Sequence, residues 1–164
     1  MQDLTEGPKP VSEGAGAIDG GFDGPVHCQP VRVYYEDTDM SGIVYHANYL
    51  RFFERGRSNY LRGIGVHHTA LAEGDDPIYF VVARMDIAFR KPARIDDLLT
   101  VKTLFDEVGG ASLGGEQTIL RGEAVLVSAR VRAACIDKAG RPRRLPLAVR
   151  EALSEKVDAS KGVE

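Results

Sequence analysis

The run Asn48-Tyr49-Leu50-Arg51-Phe52-Phe53-Glu54-Arg55-Gly56-Arg57-Ser58-Asn59-Tyr60-Leu61-Arg62-Gly63-Ile64 decides the fold. Tyr49, Phe53, Gly56, Tyr60 and Ile64 recur at spacings of three or four, with Leu50, Phe52 and Leu61 beside them. Arg51, Glu54, Arg55, Ser58 and Arg62 take the other side, so the run reads as one amphipathic helix. Gly56 in the apolar stripe costs a helix about 1 kcal/mol relative to alanine. That cost is offset if the helix backbone lies close against something flat. Gly63 and Gly65 end the helix, and a loop holding His67-His68, read as solvated, follows.

On either side the period changes to two. Val31, Val33 and Tyr35 alternate with polar neighbours and read as a first strand. Val81, Ala83, Met85, Ile87 and Phe89 share one face of a second. Leu99 to Phe105, Ser112 to Arg121 and Val125 to Cys135 supply three more, separated by glycine-bearing turns. Cys135 lies on the apolar side of its strand and reads as packing. Pro146 suits the first turn of a closing helix that runs to about Val157. The expected architecture is α+β: a five-stranded antiparallel sheet wrapped around a long central helix.

The first 25 residues hold six glycines, three prolines, five acids and one lysine. Such a segment buries too little surface to offset its ordering entropy. Residues 1–28 are therefore expected to be a flexible tail, residues 29–157 the folded domain, and residues 158–164 a second tail. The 164-residue chain is 43% hydrophobic and 27% charged, as one globular domain should be. Its longest apolar run is the six residues Ile78 to Ala83, too short for a membrane-spanning helix. A formal net charge of −3 weighs against nucleic acid as a partner. Two cysteines do not make a disulfide framework, and no N-terminal run reads as a secretory signal, so the cytoplasm is expected.

The chemistry sits between the first strand and the helix, in Glu36-Asp37-Thr38-Asp39-Met40-Ser41-Gly42-Ile43-Val44-Tyr45-His46-Ala47-Asn48. Three acids here precede a helix N-terminus, where backbone amides lack intrahelical partners and favour negative charge. A carboxylate beside free amide donors provides a base or nucleophile together with a grip on a carbonyl oxygen. Asp37, Asp39, Ser41 and Gly42 also match the opening of a calcium loop. Asn48 stands where that loop needs a bidentate glutamate, so no metal and no cofactor is expected. No Gly-x-Ser-x-Gly elbow is present for a serine-hydrolase mechanism.

The loop and the Leu50 to Arg55 segment after it resemble the signature of the hotdog-fold thioesterases. The likeness is greatest to the 4-hydroxybenzoyl-CoA thioesterase branch and, within it, to the acyl-CoA thioesterases associated with the Tol–Pal envelope system. Phe80 to Arg94 and Arg130 to Leu145 resemble further parts of that family, giving coverage of about residues 30–150. The resemblance implies that Asp39 is the catalytic aspartate and that the His46 amide polarises the thioester carbonyl, with the His46 ring orienting water or substrate. Asp37 and Thr38 would hold the loop, while Tyr45 and Asn48 would shape the pocket and helix start. Glu54 is expected to neutralise Arg51 or Arg57. Arg90, Lys91 and Arg94 form a basic cluster suited to the phosphates of CoA, and Arg141, Arg143 and Arg144 form a second. The expected function is hydrolysis of an acyl-CoA to free acid and CoA by a homodimer or homotetramer, with an acyl carrier protein as a possible partner. The alternatives are an acyl-thioester dehydratase or hydratase, and an acyl-CoA or acyl-carrier-protein binding module in an envelope-associated complex.

Overall fold

The computed structural model describes residues 18–162. Its elements are β1 (Gly21–Asp23), β2 (Val26–Arg32), α1 (Asn48–Gly63), α2 (His68–Glu73), β3 (Tyr79–Phe89), β4 (Leu98–Val108), β5 (Ser112–Arg121), β6 (Ala124–Ile136) and α3 (Leu147–Lys161). The strands form one antiparallel sheet in the order β1-β2-β4-β5-β6-β3, an α+β architecture with α1 lying on its inner face. No helix among the described residues is long and apolar enough to cross a membrane.

The long helix forms where its periodicity places it. Phe52, Phe53 and Tyr60 are wholly buried, with Tyr49 and Leu61 nearly so. It ends in a Schellman turn: Gly65 (φ +82°) donates to the Arg62 carbonyl, and Val66 donates to that of Leu61. Gly56 is the point of closest approach to the sheet. A Cβ there would stand 2.8 Å from Thr103 Oγ1 and 2.9 Å from Val101 Cγ1, both on β4. Helix α1 packs on β2 and β4, and the inner face of β6 is buried in the same core, whereas that of β3, at the edge of the sheet, is less covered. Phe89 is consequently 52% exposed and Val82 47%.

The sheet has six strands, not five. The additional strand, β1, comes from the Gly/Pro-rich segment expected to be a tail, and β2 starts at Val26, well before Val31. The inward positions of β2 are His27, Gln29 and Val31, so two polar residues hide its alternation. Residues 1–17 of the expected tail lie outside the described residues. Tyr35 is 85% exposed and opens a turn instead of extending the strand. Residues 158–161 belong to α3 and not to a tail. His68 opens the short helix α2 where a loop was expected. A register shift between Val82 and Arg84 turns the β3 alternation over. Phe80 and Val82 thus face inward opposite Cys135 and Ala133, in place of Val81 and Ala83.

Candidate active site

The loop between β2 and α1 is built around one buried carboxylate. Asp37 is 4% exposed; its Oδ2 accepts the Tyr34 amide at 2.8 Å, and its Oδ1 accepts the Asn48 side-chain amide. Its carbonyl accepts the Tyr45 amide at 2.9 Å, so this single residue joins the strand end to the helix start. Thr38 adds a hydroxyl bond to the Tyr35 carbonyl, and both residues hold the loop as expected. Asn48 is buried and turned toward Asp37, so its carboxamide secures the helix start instead of lining the groove described below.

Asp39 points the other way, into solvent. The Asp39 amide donates to the Ile43 carbonyl at 3.0 Å, and Gly42, at φ +78°, donates back to Asp39, closing a tight turn. Ser41 then clamps the carboxylate: its amide (2.8 Å) and its hydroxyl both donate to Oδ1. Oδ2 has no protein donor among the described residues. The Ser41 hydroxyl, then its amide, hold the Asp39 carboxyl below the usual carboxylate range, and positive charge on His46 acts in the same direction. Among the described residues the amides of His46 and Ala47, just before α1, have no protein acceptor. Ser41 emerged from the sequence only as a position in a calcium-type loop, not as a partner of the Asp39 carboxylate. Its signal was the Asp-x-Ser spacing, which lets an aspartate accept bonds from two residues on.

The loop after β3 is tied to this turn. Val44 donates to the Ala93 carbonyl at 2.9 Å, Ala93 donates to the Tyr49 hydroxyl at 2.9 Å, and Ile43 bridges Arg94. Between the two loops runs a groove of about 260 Å³ lined by His46, Tyr49, Phe89, Arg90, Lys91 and Pro92, among others. The Tyr45 ring lies edge-on to His46, with centroids 4.5 Å apart, and Phe89 is a second edge-on neighbour of His46 at 6.4 Å. A larger cavity of about 470 Å³ between the β4–β5 hairpin and α3 contains none of these groups, so size alone does not locate the chemistry.

Arg90 and Lys91 reach this groove, with both amides fixed on the Leu126 carbonyl. Arg94 is exposed, and its amide donates to Asp97. Among the described residues none of the three is ion-paired. The second basic cluster lies elsewhere. Arg141 pairs with Asp137 and Arg143 with Asp76, beyond the Tyr79 end of β3, roughly 30 Å of strand away from Arg90. Glu54 accepts the Ser58 hydroxyl and forms no ion pair with Arg51 or Arg57. Arg57 donates to Gln117 at 2.9 Å, so Glu54 acts on Arg57 through its charge and not through a direct ion pair.

Comparison with known proteins places these features in context. The family model described as "Thioesterase superfamily" matches residues 41–128, starting two residues after Asp39. The chain is 47% identical over 108 residues to the acyl-CoA thioesterase YbgC of Haemophilus influenzae, covering 66% of this chain and 79% of that protein. It is 41% identical over 122 residues to the acyl-CoA thioester hydrolase YbgC of Escherichia coli O6:H1, covering 73% and 90%. The crystal structure of a probable thioesterase from Bartonella henselae superposes with a TM-score of 0.72 at 52% identity, covering 74% of this chain and 99% of that one.

Proposed function

The chain belongs to the thioesterase superfamily and is an acyl-CoA thioesterase; on that premise we propose that Asp39 acts on the thioester while the free amides before α1 hold its carbonyl oxygen. The observation that carries this assignment is the clamped, ionised Asp39 carboxylate, whose second oxygen is free, next to His46 and an apolar groove. Oδ2 serves as nucleophile, forming a mixed anhydride that water opens, or as base to the attacking water. Either route breaks the carbon–sulfur bond and releases acid and free thiol. A positioned acid or base contributes about 10²- to 10⁴-fold, and one oxyanion donor up to about 3–4 kcal/mol.

The His46 ring, edge-on to both Tyr45 and Phe89, orients water or substrate, and Tyr45, which does not line the groove, acts by packing against that ring. Arg90, Lys91 and Arg94 receive the CoA phosphates, since they are the unneutralised cations beside the groove. The protein works as a homo-oligomer: Asp39 is exposed in the single chain, and the inner face of β3 needs a cover. Two free cysteines, one wholly buried, suit the cytoplasm. The test is Asp39→Asn. Release of thiol from acyl-CoA should fall at least about a hundredfold with thermal stability unchanged. Activity near that of the parent would remove Asp39 from the reaction.

A further inference from the structure

The loop after β3 carries acids as well as cations: Asp96 and Asp97 follow Arg90, Lys91 and Arg94. Its backbone is tightly held. The Asp96 amide donates to the Val33 carbonyl and the Val33 amide to the Asp97 carbonyl, both at 3.0 Å, which fixes the loop just past the end of β2. Asp96 takes the left-handed turn (φ +67°), alone among the described non-glycine residues, and its carbonyl accepts Nη1 of Arg32 at 2.7 Å. Asp97 then turns back on the loop, and its Oδ2 accepts the Arg94 amide at 2.9 Å. The same oxygen accepts Nη1 of Arg121, the last residue of β5, at 2.7 Å, and that nitrogen also reaches the Pro92 carbonyl at 3.5 Å. The pair lies beside the groove. Burial foremost raises the pKa of the Tyr49 phenol, a groove residue, and at that hydroxyl the charges of Asp97 and Arg121 act in opposite senses.

An arginine side chain is long and flexible enough to fold back onto a carboxylate that already touches its own amide. Asp97 is therefore a competitor for the Arg94 guanidinium, and such a pairing would withdraw a cation from an anionic ligand in the groove. Arg94 nonetheless forms no ion pair among the described residues, and the partner of Asp97 is Arg121. The pairing also cancels a negative charge that would repel phosphate. A cation brought in from another strand does both without consuming one of the loop's own. We propose that Arg121 is a positioning residue: by occupying Asp97 it keeps Arg94, with Arg90 and Lys91, free for the phosphates of CoA. This inference rests on the CoA-binding reading above and adds to it a residue that touches neither the ligand nor the reacting atoms.

The test uses the full chain with an acyl-CoA ester and the matching acyl-pantetheine, which has the same reacting bond and no phosphates. Arg121→Met should raise KM for the CoA ester by about fivefold at low salt, the upper range for an exposed ion pair, and by less at high ionic strength. Its kcat, and its hydrolysis of acyl-pantetheine, should stay within about twofold of the parent. Arg121→Gln is the second variant should the first not fold. Asp97→Asn keeps an oxygen for the Arg94 amide but no charge to compete, so KM should be at or below the parent value. Arg121→Met combined with Asp97→Asn should bring KM back to within about twofold of the parent. An unchanged KM in Arg121→Met overturns the proposal. So does equal slowing of both thioesters, or a raised KM in Asp97→Asn, since the pair would then be a structural brace. A double variant no better than Arg121→Met also overturns it, because Arg121 would then hold phosphate itself. Arg94→Met separates the two levels of the argument. If it leaves KM for the CoA ester unchanged, the phosphate reading fails and this inference with it; if it raises KM where Arg121→Met does not, only this inference fails.

Discussion

Asp37 and Asp39 are two residues apart and are expected to fail in opposite ways. Asp37→Ala removes the acceptor of two bonds, from the Tyr34 amide and the Asn48 carboxamide, at a site only 4% exposed. Each stranded buried donor costs about 1–3 kcal/mol. Partial access of water to the loop favours the lower part of the sum, so the variant should lose about 2–4 kcal/mol. For a chain of this size that corresponds to a fall of roughly 5–15 °C in Tm. Activity should fall too, because the amides of His46 and Ala47 depend on this loop for their position. Asp39→Asn, by contrast, should leave Tm within about 2 °C, since its carboxylate is exposed and the amide oxygen can still accept from Ser41. Urea titration and differential scanning calorimetry on both variants, paired with thiol release, measure the contrast. An Asp37→Ala protein as stable as the parent would refute the hub reasoning, whatever its activity.

Three further outcomes follow from the packing and the charges. Gly56→Ala should gain about 1 kcal/mol of helix propensity but lose about 1–3 kcal/mol to overpacking against Thr103 and Val101. A net loss near 1 kcal/mol is expected from denaturant midpoints, and a more stable variant would contradict the flush contact. Ser41→Ala removes the first cause of the depressed Asp39 carboxyl, so the acid limb of the kcat/KM profile should move to higher pH. An acid limb that stays in place would show that the clamp does not tune the reacting group. His27 is buried, its Nδ1 has no partner among the described residues, and burial lowers its pKa below 6.5. Its contribution to stability is present above the unfolded value and lost as pH falls through the native one. Unfolding free energy measured from about pH 7.5 to about pH 5 should therefore decline, less steeply in His27→Phe. Equal slopes would rule out His27 as the cause.

The helix was legible because one physical demand, an apolar stripe every three or four residues, dominates it. Gly56 then disclosed the flat neighbour, which the structure identifies as β4. Strand β4 was equally open to reading, since its inward Leu99, Val101 and Phe105 are interrupted only by Thr103, whereas β5, which buries Gln117, showed by the glycine turns that bound it. The first strands were hidden because β2 buries His27 and Gln29, and the partners of Gln29 come from elsewhere: its amide donates to the Ile18 carbonyl, and Asn59 on α1 donates to its side-chain oxygen. Such pairings link positions far apart in the chain and leave no local period. The bulge in β3 was hidden for a different reason, because a single extra residue reverses every later side chain while the composition stays apolar. At the site, acid density and the approaching helix marked the loop, and only the family resemblance singled out Asp39 and His46 within it. The division of labour, with Asp37 turned inward and Asp39 outward, depends on backbone turns that the residue types alone do not specify.

Ala93 has no reactive group, yet both of its backbone polar atoms are committed, one to Val44 and one to Tyr49. The cationic segment from Arg90 to Arg94 and the aspartate turn are thereby splinted into a single rigid piece. Force applied at one end by a tightly held tail would reach the other without slack, so anchoring a remote part of the ligand can align the scissile atoms. An extra residue inserted on either side of Ala93 would uncouple the two ends, leaving anchoring intact while turnover collapsed.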